Sequence, residues 1–220
     1  MSELNLDQAR FNMVEQQVRP WDVLDPKVLE LMETVPRDAF VPEDHKNLAY
    51  ADIEIPLGFG ECMMAPKVEG RMLQALAVQP TDVALEVGTG SGYVTALLGR
   101  LAGHVYSVEI IDELKHRAGR LLTEHGIENV TLRTGDASRG WNQQPRYDVI
   151  AVTGSLPEYH DGFEKSLALG GRLFVVVGQA PVMEAMLITR VGEDEFRREM
   201  LFETDLKALT GAEKTPEFVL

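Results

Sequence analysis

The sequence predicts an α/β fold: a mostly parallel twisted sheet with helices on both faces, a helical extension at the N-terminal end and an antiparallel hairpin at the C-terminal end. Three observations predict it. Residues Asp82 to Tyr93 pass from a short apolar run directly into a turn with glycine at every second position. After that turn, strand-like and helix-like segments alternate, as a doubly wound chain requires. Past Gly178, two strand-like segments flank Gly192-Glu193-Asp194-Glu195, which has the composition of a hairpin.

In chain order, the first predicted element is a helix over Leu6 to Val18. Phe11, Val14 and Val18 recur at helical spacing, while Gln8, Glu15 and Gln16 fall on other faces. Arg19-Pro20 stops it. A second helix starts at Asp25, an N-cap with Pro26 in the first turn, and carries Val28, Leu29, Leu31 and Met32. The stretch Val35 to Pro42, punctuated by prolines, reads as extended. Residues 1–66 are expected to form an extension, and 67–220 the core, within one structural unit.

Val83, Ala84, Leu85 and Val87 form the near-continuous apolar run of a parallel strand covered on both faces. Gly88, Gly90 and Gly92 then remove the Cβ atoms that would block a ligand. The helix that follows, with Tyr93, Val94, Ala96, Leu97, Leu98 and Leu101 as its apolar positions, would aim its free amides at the turn. Such a turn can serve a dinucleotide, a nucleoside or no ligand at all. The dinucleotide fingerprint needs its third glycine where this chain has Tyr93.

His104 to Glu109 reads as the next strand and ends in an acid 21 positions after Gly88. A carboxylate there, at the carboxyl edge of the neighbouring strand, can accept both hydroxyls of a ribose; a plain surface acid is the competing reading. A helix over Ile111 to His125 presents Leu114, Ala118, Leu121 and Leu122, and Gly126 ends it. Asn129 to Thr134 is the third strand and runs into Gly135-Asp136-Ala137, with Trp141 packed nearby. Tyr147 to Ser155 is the fourth, and Leu169 to Gly178 supplies a turn and the fifth. Met186 to Val191 and Phe196 to Phe202 form the hairpin. The tail after Asp205 is weakly patterned, with Phe218 and Val219 as docking residues.

Composition narrows the function. The formal net charge is -14, from 35 acids against 21 bases. It opposes nucleic acid and anionic membrane as partners, and no basic patch offsets it. Cys62 is the sole cysteine, which rules out an intrachain disulfide or a cysteine zinc cluster and fits a reducing compartment. The five histidines show no metal-ligand spacing, so no metal is expected. The first residues carry no signal-peptide pattern and no apolar run is long enough to cross a bilayer, so the expected location is cytoplasmic.

An acid two residues before a Gly-x-Gly-x-Gly turn, here Glu86 before Gly88, resembles motif I of the Rossmann-like class I S-adenosylmethionine-dependent methyltransferases. The succession Val35 to Val41-Pro42, Ala49-Tyr50-Ala51-Asp52, Ile55-Pro56-Leu57-Gly58, Pro66 and Leu85 to Tyr93 resembles the protein-L-isoaspartate O-methyltransferase family more specifically. The likeness runs in the same order from Val35 to Gly178. It implies methyl transfer from S-adenosylmethionine to the carboxylate of L-isoaspartyl residues in damaged proteins. It also implies a cofactor site built from Glu86, Gly88, Thr89, Gly90, Ser91, Gly92, Glu109, Asp136 and Ala137, with Asp136 at the adenine amino group. Asp136 also reads as an ordinary turn residue.

One segment departs from that family. Where its members carry a Thr-Ile-Ser type stretch whose hydroxyls meet the acceptor carboxylate, this chain has Cys62-Met63-Met64, preceded by Glu61. A thiol and a thioether are poor anion donors. Cys62 and Met64 are therefore the candidate acceptor-side positions, with core packing as the competing reading for Met63 and Met64. The family's late Phe-Val-Pro type segment is also missing. Two further readings stay open: a methyltransferase with another acceptor, and a non-catalytic S-adenosylmethionine-binding protein.

Overall fold

The structure is a computed structural model and describes residues 5–212; Phe218 and Val219 lie outside them. The N-terminal region holds α1 (Leu6–Met13) and α2 (Pro26–Thr34). A small antiparallel pair follows, β1 (Ile55–Gly58) with β2 (Glu61–Met63). Helix α3 (Pro66–Leu76) leads into β3 (Val83–Val87), α4 (Tyr93–Leu101), β4 (His104–Glu109), α5 (Asp112–Glu124) and β5 (Val130–Thr134). The remaining strands are β6 (Tyr147–Leu156), β7 (Leu167–Gln179), β8 (Val182–Arg190) and β9 (Phe196–Thr204).

Seven strands form one sheet in the order β5-β4-β3-β6-β7-β8-β9. The first five are mutually parallel, and β8 and β9 return antiparallel. The chain moves outward on one side of β3 through β4 and β5, then crosses to its other side as β6. That reversal makes a crevice at the carboxyl ends of β3, β4 and β6, where open α/β sheets bind ligands. Register sets what meets there. Val87 pairs with both Val108 and Val152, so the next residues, Gly88, Glu109 and Thr153, emerge side by side.

Alternation along the strands divides the core. Ala84, Val105, Val149, Ala151, Phe174 and Val176 pack under α3, α4 and α5, in one cluster with Met13, Val18, Met32 and Phe40 of the N-terminal region. Leu85, Val87, Val108, Ile150, Val152 and Leu173 face the other way. The expected helical cover on that second face is a single 3₁₀ turn, Glu164–Ser166, with loop residues Phe163, Trp141 and Tyr159. No helical periodicity runs through 157–166, so loop side chains close this face.

Three local expectations shift. The stretch Val35 to Pro42 contains a 3₁₀ turn, Arg37–Phe40. Three residues per turn bring positions i and i+3 into line, so Arg37 and Phe40 are both turned inward and fully buried. Phe11 is 52% exposed, and Met13 is buried instead; the widened π turn at Val14–Val18 adds to the helix and changes its phase. Strand β8 starts at Val182, four residues before the expected Met186. Val182 to Ala185 alternate exposed and buried, a strand pattern masked in sequence by the adjacent Pro181.

Candidate active site

A cavity of about 650 Å³, including its open mouth, sits at the reversal crevice. One wall is Gly88 and Gly90 of the glycine turn, with Val108 and Glu109 at the end of β4. Gly135, Ala137 and Ser138 after β5, and Glu61 and Cys62 of β2, also line it. Residues 206–210 cross over it as a strap.

The turn needs its glycines for space and backbone shape. Gly88 has φ +99°, and a Cβ there would lie 2.4 Å from Thr153 Oγ1. Gly92 has φ +85°, and its Cβ would lie 2.9 Å from Ala118 Cβ on α5. Side chains are strained at such φ and have no room here. Thr153 fixes the turn from the side of β6, its hydroxyl donating to the carbonyls of Val87 (2.9 Å) and Gly88 (2.7 Å).

Glu109 is 5% exposed. Its Oε2 accepts from Gly90 N at 2.8 Å and its Oε1 from Ile111 N at 3.0 Å. These two amides orient the carboxylate against the cavity and leave each oxygen a free lone pair, the acceptor geometry that a vicinal diol needs.

The sequence-predicted residues separate into three groups. Gly88, Gly90, Glu109, Ala137 and Cys62 line the cavity. Glu86, Thr89, Ser91 and Met64 line a smaller space of about 290 Å³ behind the turn, together with Met63 and Glu69; Cys62, Gly88 and Gly90 border both. Gly92 and Asp136 line neither. Asp136 is exposed, and its Oδ1 accepts from Ser138 N at 2.9 Å, which is turn geometry.

Glu86 points to the helical face of the sheet and is fully buried. Its Oε2 accepts from Thr95 Oγ1 and Ser107 Oγ, both at 2.5 Å, and Ser107 meets Thr89 at 2.6 Å. The acid thus braces the turn from behind. Burial pushes its carboxyl up to about 8, against the hydrogen bonds from Ser107 and Thr95. The folded chain then keeps a proton that the unfolded chain releases near pH ~4.3, so stability from this group is full below that pH and is lost as pH rises toward 8. Replacing Glu86 with glutamine should therefore flatten the pH dependence. In urea unfolding, the parent should lose about 3 kcal/mol relative to Glu86→Gln between pH 5 and pH 8.

Met64 is 4% exposed and is held by its backbone, its carbonyl accepting from Arg37 Nη2 at 2.7 Å. Arg37 also donates to Ala49 O at 2.9 Å and pairs with Glu69, both side chains sealed from solvent. Burial pushes the Glu69 carboxyl up, against the pull of the Arg37 guanidinium. That guanidinium lies 5.1 Å from the ring centroid of Tyr93, the first residue of α4. One buried cation thereby ties the acceptor-side segment to α3 and to the helix that starts at the glycine turn.

Cys62 is half-buried, and its Sγ donates to Glu54 Oε2 at 3.3 Å. Burial, with the Glu54 charge next in effect, pushes the thiol up to about 12. It is a neutral wall at neutral pH, with no thiolate chemistry.

Sequence reasoning missed Thr153, Ser138 and the strap. Thr153 was open to inference, since it lies near the carboxyl end of the predicted fourth strand, Tyr147 to Ser155. The strap had no local signal. It is held by β6, with Ser155 N donating to Lys207 O and Leu209 N to Ser155 O, each at 2.9 Å, around a parallel bridge from Ser155 to Ala208.

A family model described as protein-L-isoaspartate(D-aspartate) O-methyltransferase matches residues 9–214. The chain belongs to this family. A protein-L-isoaspartate O-methyltransferase of Rhodopseudomonas palustris is 40% identical over 202 residues, covering 91% of this chain and 93% of that one. A Pelobacter propionicus relative named protein-L-isoaspartate O-methyltransferase 2 is 37% identical over 210 residues, covering 95% and 93%. Among solved structures, a Plasmodium falciparum chain named for the same family and in complex with S-adenosyl-L-homocysteine superposes with a TM-score of 0.78 at 20% identity. It covers 94% of this chain and 99% of that chain. A second family structure gives a TM-score of 0.77 at 24% identity, covering 92% and 66%. At those identities the structural likeness speaks for the fold, which is the Rossmann-like class I methyltransferase fold.

Proposed function

We propose that this chain transfers a methyl group from S-adenosylmethionine to the carboxylate of L-isoaspartyl residues in damaged proteins. One observation carries the reading: the glycine turn, Glu109 and the acceptor-side residues Glu61 and Cys62 all line a single cavity. The cofactor fits the residues present. Gly88 and Gly90 bring bare backbone to the cavity wall, where a Cβ would crowd Thr153 or Leu57, Glu109 offers two oriented acceptors to the ribose hydroxyls, and Ala137, beside Asp136, lines the part assigned to the adenine. Thr89, Ser91 and Glu86 support the turn from behind.

Bound S-adenosylmethionine supplies an electrophilic methyl on its sulfonium, so the chain has to align and desolvate the acceptor. A carboxylate is already ionised at neutral pH and needs no general base, in keeping with a described cavity lining that contains no histidine. Protein or peptide is the acceptor class, and the charge of -14 argues against nucleic acid. Among the described residues no helix is long and apolar enough to cross a membrane, and a reducing, cytoplasmic setting suits the lone thiol. The test is steady-state transfer of labelled methyl to an isoaspartyl peptide and to its normal aspartyl twin. Turnover on the first and background on the second is expected; equal rates, or none on either, would reject the reading.

A further inference from the structure

The acceptor is an anion, yet the cavity that would receive it is lined by two acids, Glu61 and Glu109, and the hydroxyl-bearing segment of the family is replaced by Cys62-Met63-Met64. Lys207 is the only cation among the described residues lining that cavity. It sits on the strap and also borders a neighbouring surface groove lined by Trp21, Lys67 and the acids Asp52, Glu54, Glu203 and Asp205. A peptide lying in that groove would bring its carboxylate past Lys207 on the way to the cofactor end.

We propose that Lys207 is the acceptor-recognition residue of this chain, its ammonium binding the isoaspartyl carboxylate in place of the missing hydroxyls. The proposal rests on the isoaspartyl methyltransferase reading above and deepens it. Before the acceptor arrives, Nζ lies 2.6 Å from Glu61 Oε1. That same oxygen accepts from Thr210 Oγ1 at 2.9 Å. Glu61 therefore keeps a partner when Lys207 turns to the substrate, and the exchange replaces one carboxylate by another at the same ammonium. The side chain of Lys207 is 38% exposed, so it can move without opening the core. In the neighbouring groove, Lys67 pairs with Asp52 at 2.8 Å and lies over the Trp21 ring, and unlike Lys207 it does not line the cavity.

A tether and an acceptor site predict opposite signs for Glu61. If Lys207 binds the acceptor, Glu61 competes with it, so Glu61→Gln should lower KM for an isoaspartyl peptide several-fold. Lys207→Met should raise KM about tenfold to a hundredfold with a smaller change in kcat, and Lys207→Arg should recover part of the loss. Affinity for S-adenosylhomocysteine, measured by calorimetry on each variant, should stay within about twofold of the parent, which also reports that the variants are folded. Lys207→Met with unchanged KM, or both substitutions raising KM together as loss of a strap tether would, overturns the proposal while leaving the isoaspartyl activity standing. A parent that binds S-adenosylhomocysteine but does not methylate the isoaspartyl peptide overturns the functional reading, and this proposal with it.

Discussion

Glu109→Ala should weaken S-adenosylhomocysteine binding by at least about a hundredfold in a calorimetric titration. Two contributions add. The carboxylate accepts from Gly90 N at 2.8 Å and from Ile111 N at 3.0 Å, so its removal leaves two amides at the cavity edge without their anion and loosens the glycine turn. It would also remove both acceptors for the ribose. Hydrogen bonds to a charged group are each worth about 1.5 to 3 kcal/mol, so losing two ribose contacts alone corresponds to roughly two to four decades in affinity. Glu109→Gln should fall between, since one amide oxygen still accepts. Binding by the alanine variant equal to the parent would remove Glu109 from the cofactor site.

The second large effect is on stability. Arg37→Met should cost about 3 to 5 kcal/mol in urea unfolding, because it strands Glu69 in the core without its cation. A typical domain has only about 5 to 15 kcal/mol in total. The change also deprives the carbonyls of Ala49 and Met64 of their donor. Adding Glu69→Gln should restore part of the loss, since the second change removes the acid that was left unpaired. Two independent, additive penalties would show that Arg37 and Glu69 are not coupled.

The features that were legible in sequence are local ones. The strand from Val83 to Val87, the glycine turn and the acid at Glu109 follow from apolar runs, alternating glycines and the spacing of one βαβ unit, and the structure has them in the expected order. The parallel register then brings Gly88, Glu109 and Thr153 together without further information. What was not legible depends on contacts between distant positions. Glu61 meets Lys207 across most of the chain, and Arg37 meets Glu69 across two intervening segments. Neither pair leaves a periodic trace.

Met64 shows a subtler gap. Its place two residues after Cys62 suggests a shared role at the acceptor, as for i and i+2 on one strand face, but β2 ends at Met63, so the alternation does not carry through to Met64. Cys62 borders the main cavity, whereas Met64 is packed behind the turn. Asp136 similarly matches a family position in sequence while its carboxylate is engaged by the amide of Ser138. Glu86 carries the motif I acid, but strand alternation sends it under Thr95. Its part is to support the turn.

The proposed chemistry puts the methyl group on a carboxylate oxygen. The most direct measurement is the base lability of the product. After transfer from methyl-labelled S-adenosylmethionine to an isoaspartyl peptide, mild alkali should release the label as volatile methanol, because a methyl ester is hydrolysed under those conditions. Label that stays on the peptide through the alkaline step would mean methylation at nitrogen or another base-stable position, and would rule out a carboxylate acceptor.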